Sequence, residues 1–212
     1  SLAATLRGVL LLSVPATLGL IILRTPIISA LFERGEVDAQ STSMVAWALL
    51  WYTVGLVGHS FVEIISRAFY ALHNTLTPVL VSVGAMSLNI GLSLALSSLF
   101  LRIGWEPHGG LALANSLATT LEALALLALM SRRLGGINAQ EIWQATWQTL
   151  IAAAVMVSGI SVWLWVAQNS PAWTVALGGI VIGAALFIGI ALLIGNRELL
   201  SVSKGLFRRA FR

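Results

Sequence analysis

"TPVLVSVGAMSLNIGLSLALSSLFL", residues 77 to 101, contains no Asp, Glu, Lys, Arg or His. An α-helix crossing a hydrocarbon core of about 30 Å needs about 20 mainly apolar residues, and this stretch supplies them with no charge to bury. The rest of the chain has the same character. Hydrophobic residues make up 58% of the 212 and charged residues only 9%, against about 25% charged in an ordinary soluble domain. Too few charges remain to coat a water-facing exterior, so lipid is the outer solvent.

Working outward, six segments reach spanning length: about 6–32, 42–66, 77–101, 109–131, 142–167 and 172–195. Short polar connections separate them: "ERGEVDAQS", "YALHNTLT", "RIGWEPHG", "SRRLGGINAQ" and "QNSPA". Helices are the only open-ended solution in lipid, because each satisfies its own backbone hydrogen bonds. The expected fold class is an all-α integral membrane protein with six transmembrane helices. The chain begins without Met, enters apolar sequence almost at once and shows no small-residue cleavage pattern. It reads as a fragment with no cleavable signal.

Twelve basic residues give the net charge of +4, and they are unevenly placed. With the N-terminus cytoplasmic, Arg7, Arg67, Arg132, Arg133, Arg197, Lys204, Arg208, Arg209 and Arg212 fall inside, and Arg24, Arg34 and Arg102 outside. The excess of inside cations predicts that both ends face the cytoplasm. The charge therefore reads as a topology signal; no aromatic-basic module points to nucleic acid. Trp143 and Trp147 at one end of the fifth segment, with Trp163 and Trp165 near the other, stand roughly 24 to 33 Å apart along a helix. That spacing suits two interfacial belts, with Trp173 in the outer one.

Ionisable and amide side chains inside apolar helices are costly, about 2.5 to 3.5 kcal/mol per charge on insertion scales, and usually face a protein interior or a wet cavity. In the second span His59, Glu63 and Arg67 recur every four residues and share a face, with Tyr70 three further on. Glu63 precedes Arg67 in the better orientation for an intrahelical pair. Two readings fit: a structural pair near the cytoplasmic interface, or a polar stripe at the inner mouth of a cavity handling a charged headgroup. The third span carries Ser82, Asn89, Ser93 and Ser97, and the fourth Asn115, Thr119 and Glu122. These stripes suit interhelical hydrogen bonds between the two spans, or the wall of a cavity. Glu122, midway along its span, is paired or protonated there. In the sixth span Gly179 and Gly183, repeated by Ala185 and Gly189, form notches that let helices approach closely. Pro15 and Pro26 should kink the first helix.

Nothing in the sequence reads as a catalytic site. His59, His73 and His108 lack metal-ligand spacing, and no phosphate loop, nucleophile elbow or paired-carboxylate constellation is present. There is no cysteine. Neither an enzyme nor a cofactor is expected.

Two motifs carry a family resemblance: "LRTPIISALFERGEVDAQST" at the end of the first span, and "EIISRAFYALHNTLTPV" between the second and third. With "GGLALANSLATTLEALALL" and the basic exit "RRLGG", they resemble the MurJ/MviN family of lipid II flippases, over roughly the first 135 residues. The family is similar to multidrug and oligosaccharide exporters, with two six-helix lobes around a central cavity and two extra C-terminal helices. The resemblance implies that 1–135 is the last four helices of the second lobe, and 136–212 the two C-terminal helices with a basic cytoplasmic tail. It further implies transport of lipid-linked peptidoglycan precursor across the bacterial inner membrane by alternating access. The partners would be that substrate, membrane lipids and the missing N-terminal lobe. His59, Glu63, Arg67, Asn89, Asn115 and Glu122 become candidates for substrate binding or cavity lining, and Gly179 and Gly183 for helix packing beside a lipid-tail groove. Some relatives place an asparagine and an acid one turn apart at a cation site; here Asn89 and Ser93 stand at that place, without the acid. Asn74 stands where family members commonly have Asp. A polysaccharide-repeat or drug exporter of the same superfamily, or a non-transporting helical scaffold, would share the helical pattern.

Overall fold

A computed structural model describes residues 2–32, 39–136 and 139–195. The described residues form seven α-helices: α1 Leu2–Phe32, α2 Ala39–Val54, α3 Leu56–Ala71, α4 Leu76–Arg102, α5 Pro107–Arg133, α6 Ala139–Val166 and α7 Ala172–Leu193. Five are long and apolar enough to cross a membrane, and α2 with α3, bent by 45° at a short break, make a sixth as one broken span. Arg34 with most of its connection, and Arg197, Lys204, Arg208, Arg209 and Arg212, lie outside the described residues.

Local chemistry sets the helix ends. After α4, Gly104 takes φ +77° and the Trp105 N–H reaches back to the Phe100 carbonyl at 2.8 Å. After α5, Gly135 takes φ +70° and the Gly136 N–H reaches Ser131 at 2.9 Å. Both are left-handed caps that satisfy otherwise orphaned carbonyls. His73 performs the same turn after α3 at φ +54°, with Asn74 N–H bonded to Phe69 O at 3.0 Å. Histidine is among the few non-glycine residues enriched there. Pro107 opens α5 at its first position, where a missing N–H costs nothing.

The helices form two compact units. One comprises residues 31–137, so it holds α2 to α5. In it α5 packs against α2, α3 and α4. The other comprises residues 1–30 with 138–212, and α6 packs on α7 there. Its core joins Leu11 and Leu23 of α1 to Met156 and Ile160 of α6 and Phe187 of α7. The first helix, which the family pattern groups with 1–135, thus packs with the C-terminal pair. Arg7 of α1 also bonds Glu141 in the first turn of α6 at 2.5 Å.

The sequence pattern makes the second span one continuous helix; the structure breaks it at Gly55. The Gly55 N–H bonds the Tyr52 carbonyl, one residue short of the α-helical partner. Ser116 of α5 fills the gap: its Oγ donates to the Trp51 carbonyl at 2.6 Å and lies 3.3 Å from that of Tyr52. Glycine is required on steric grounds, since a Cβ at 55 would stand 2.7 Å from the Ser116 Cα.

Gly55→Ala should therefore destabilise the protein by about 1–3 kcal/mol, the usual cost of overpacking. Gly84→Ala, at a helical site with nothing within 4 Å of the added carbon, should be neutral or slightly stabilising. Unfolding midpoints of the two variants in one detergent mixture provide the check, and equal midpoints would remove the steric role of Gly55.

Candidate functional site

The residues 31–137 unit carries most of the polar side chains that the sequence singles out. His59 lies one turn beyond the Gly55 break and is exposed. It does not join the Glu63–Arg67 pair; Asn115 Nδ2 donates to its Nε2 at 3.2 Å. Residues 115 and 116 of α5 therefore hold both sides of the break, the serine through backbone carbonyls and the asparagine through a side chain. Arg67 donates to Glu63 within α3, and both side chains are largely exposed. A pair so open to its surroundings contributes little stability.

Beyond α3 the polar turn folds on itself. Asn74 Oδ1 accepts the Thr77 N–H at 3.1 Å, and its Nδ2 donates to Thr77 Oγ1 at 2.9 Å. Asn74 caps α4 from just before its first turn, a job an aspartate there would share. Pro78 follows at a position where no intrahelical N–H partner is missed.

Between α4 and α5 lies an open recess of about 180 Å³ lined by Ser82, Asn89, Asn115, Thr119 and Glu122, with Ala85, Met86 and Ala118. Ser82 Oγ donates to Glu122 Oε1 across the helices at 2.5 Å. Ser93 Oγ donates to Asn89 Oδ1 within α4 at 3.3 Å. The structure thus brings Asn89, Asn115 and Glu122 together, with His59 adjoining through Asn115, and leaves Glu63 and Arg67 outside the recess.

Two features went unread in the sequence. Ser116 sits inside a quoted motif, but its role depends on a glycine 61 positions earlier (116 − 55). Trp47, Trp51, Phe100 and Trp105 form a cluster with ring centroids 5.1 to 6.1 Å apart, edge-to-face except for the tilted Trp51–Trp105 pair. Gly109 lies under two of those indoles. The signal was a pair of tryptophans one turn apart in α2, a third in the connection after α4 and a glycine at the next helix start.

The other unit carries an apolar groove of about 550 Å³, lined by α1, α6 and α7. Pro15, Ala16 and Gly19 of α1 form part of its wall, with Ile160 of α6 and Ala184 and Ile188 of α7. Gly179 and Gly183 line it too, and their partners are now named: a Cβ at 179 would meet Leu23 of α1, and one at 183 would meet Ile160 of α6. Gly189, the expected second notch, has nothing within 4 Å. Among the tryptophans, Trp143, Trp147, Trp165 and Trp173 are exposed. Trp163 is half-buried, and its Nε1 donates to the Val175 carbonyl of α7 at 3.0 Å.

The described residues thus make a multi-pass helical protein with amides and a carboxyl on one helix pair and an almost wholly apolar groove elsewhere. A family model described as "Lipid II flippase MurJ" matches residues 1–181, further than the quoted motifs reach, and the chain belongs to that family. It is 31% identical over 198 residues to the lipid II flippase MurJ of Burkholderia cenocepacia, covering 90% of this chain and 37% of the relative. It is 29% identical over 208 residues to the probable lipid II flippase MurJ of Vibrio cholerae, covering 91% and 37%. A solved structure titled "Lipid II flippase MurJ, inward closed conformation" superposes with a TM-score of 0.74 at 26% identity, covering 94% of this chain and 39% of that one. The chain spans well under half the length of these relatives.

A double-mutant cycle on Ser82→Ala and Glu122→Gln should give a coupling of about 0.6 to 2 kcal/mol, the range for interhelical hydrogen bonds in membranes. Unfolding midpoints of the four proteins measure it; strict additivity would mean the two side chains do not bond.

Proposed function

We infer that the complete protein moves lipid II, the lipid-linked peptidoglycan precursor, from the inner to the outer leaflet of the bacterial cytoplasmic membrane. Family membership supports this reading, and the observation that carries it is the separation of surfaces within one chain. A headgroup rich in hydrogen-bonding groups needs a polar wall, and the recess around Asn89, Asn115 and Glu122 offers one. A long hydrocarbon chain needs a surface without polar groups. The α1/α6/α7 groove offers that, and its volume of about 550 Å³ lies within the range of about 300–1,000 Å³ typical of ligand pockets.

On this reading the protein is a transporter and not an enzyme. The chain supplies the last four helices of a second lobe and a C-terminal pair, with both ends cytoplasmic and the N-terminal lobe contributed by the rest of the protein. The mechanism is alternating access: the lobes rock about the bound headgroup while the tail stays in lipid-like surroundings. Glu63 and Arg67 stand at the inner mouth, where Arg67 meets the diphosphate as it enters. Arginine suits that task, because its guanidinium donors match phosphate oxygens in pairs. Ser93 stands one turn from Asn89 where some relatives have an acid, so the cation site of those relatives lacks that ligand on α4 here. Neither nucleic acid nor a cofactor has a part.

Arg67→Ala, expressed in the full-length protein, should lower rescue of a flippase-depleted strain at unchanged protein level, with Arg67→Lys intermediate. Normal growth of the alanine variant would remove the assigned role. Gly19→Phe should put a ring on the groove wall, since Gly19 lines it and nothing lies within 4 Å of an added Cβ there. It should reduce photo-crosslinking of a polyprenyl-chain probe to α7 severalfold, and undiminished crosslinking would move the chain elsewhere.

A further inference from the structure

The break between α2 and α3 is a small departure from a helix in dihedral terms. Gly55 sits at φ −81° and ψ −5°, against about −63° and −42° in a regular helix. About 37° of ψ at one residue therefore separates the 45° bend from a continuous span. Both conformations lie in or beside the right-handed helical region, and a glycine passes between them without a Cβ to obstruct it.

The hydrogen bonds on either side of that change balance. In the bent form the Gly55 N–H goes to Tyr52, and the Ser116 hydroxyl takes the Trp51 carbonyl. In a straightened form the Gly55 N–H returns to Trp51, its α-helical partner. The released Ser116 hydroxyl then has the carbonyl four residues back on its own helix, at Ala112. Neighbouring hydroxyls already make that kind of bond: Thr120 to Ser116 at 2.7 Å, Thr53 to Leu49 at 2.6 Å and Ser60 to Leu56 at 2.9 Å. Both forms thus satisfy the Gly55 donor, the Ser116 donor and the Trp51 carbonyl.

The two arms are held differently. On α3, Ile65 and Phe69 are fully buried, and glycines at 55 and 58 seat its near end on α5, where an added Cβ would stand 2.7 and 3.1 Å from Ser116 and Thr120. On α2, the Trp47 and Trp51 indole nitrogens are covered by this chain's own atoms without a hydrogen-bond acceptor among the described residues. A buried orphan donor is costly, and each one in a native structure calls for a reason. Movement would relieve α2, whereas it would uncover the buried side chains of α3.

We propose that Gly55 and Ser116 form a hinge, with α3 fixed on α5 and α2 as the moving arm, and that exchange of the Ser116 hydroxyl between Trp51 and its own helix is the switch. Trp47 lies eight residues from the pivot (55 − 47), about 12 Å along the helix, so a swing of about 10° moves it about 2 Å. That takes the Trp47–Trp105 pair, 5.5 Å between centroids, beyond the range of about 4.5–7 Å over which aromatic rings attract. Ser116 is a positioning residue, and the hinge goes beyond the transport reading because it requires no particular cargo.

The test uses the full-length protein, cleared of other cysteines, in lipid nanodiscs, with spin labels at Val45 of α2 and Leu121 of α5. Pulsed electron resonance reads the distance distribution. In the wild type the bent distance of this structure should dominate. Ser116→Ala keeps the close approach to Gly55 but strips the Trp51 carbonyl of its hydroxyl in the bent form alone. It should raise the displaced population about three- to tenfold, the scale of one hydrogen bond. Thr120→Ala, which deletes a hydroxyl bonded within α5, should leave the distribution as it is. A second label pair, Tyr70 of α3 with Leu121, should keep one distance in all three proteins. An unchanged distribution in Ser116→Ala overturns the hinge, as does an equal shift in Thr120→Ala. Movement of Tyr70 while Val45 stays in place overturns the assignment of α2 as the arm.

Discussion

The absence of water in the hydrocarbon core is the constraint on which the rest of this structure depends. A backbone group or polar side chain there must find its partner within the protein. The break at Gly55 shows the rule at work. A helix interruption frees carbonyls: the Gly55 N–H goes to Tyr52 in place of Trp51, and the chain supplies the Ser116 hydroxyl for the Trp51 carbonyl. That contact demands close approach, close approach demands glycine, and the resulting bend aims α3 so that His59 meets Asn115. One hydroxyl thereby couples backbone geometry on α2 to side-chain placement on α3.

The same rule organises the hydroxyls throughout the spans. Many turn back to carbonyls of their own helix, as Thr53, Ser60, Thr120, Thr149 and Ser158 do, and so disappear as polar features. Those on the α4–α5 recess do not. Ser82 crosses to Glu122, and beside the recess Ser93 bonds the side chain of Asn89 in preference to a carbonyl. A polar group spent on another polar side chain leaves acceptors and donors pointing outward, which a passage for a headgroup needs and a lipid-facing helix avoids. The apolar groove is the converse case, where small residues on α1 and α7 remove volume without adding polarity.

Much of the fold was legible in the sequence, because length and hydropathy are local properties. The spans beginning near 77, 109, 142 and 172 can be read from uninterrupted apolar runs bounded by Gly and Pro. The broken second span was not, since a glycine at 55 is compatible with a continuous helix and only Ser116 shows otherwise. Side-chain periodicity grouped His59 with Glu63 and Arg67, yet the nearer partner proved to be Asn115 on a different helix. Periodicity orders one helix face and is blind to which helix lies opposite. Trp163 illustrates the same limit: its position near a helix end says nothing of the Val175 carbonyl and the Gly178 surface on α7 that the ring meets. Gly179 and Gly183 could be recognised as notches, but the helices that fill them required coordinates.

The central claim is that the polar wall on α4 and α5 borders water in the working protein while their outer faces border lipid. Because this chain has no cysteine, single cysteines introduced at Asn89, Asn115 and Thr119, and at the outward-facing Leu94 and Leu121, give a direct measurement. The full-length protein, cleared of any other cysteine, is labelled in intact membranes with a small water-soluble thiol reagent. The account predicts rapid labelling at 89, 115 and 119 and protection at 94 and 121. Uniform protection at all five positions would show the wall sealed by neighbouring helices and would contradict a hydrated passage.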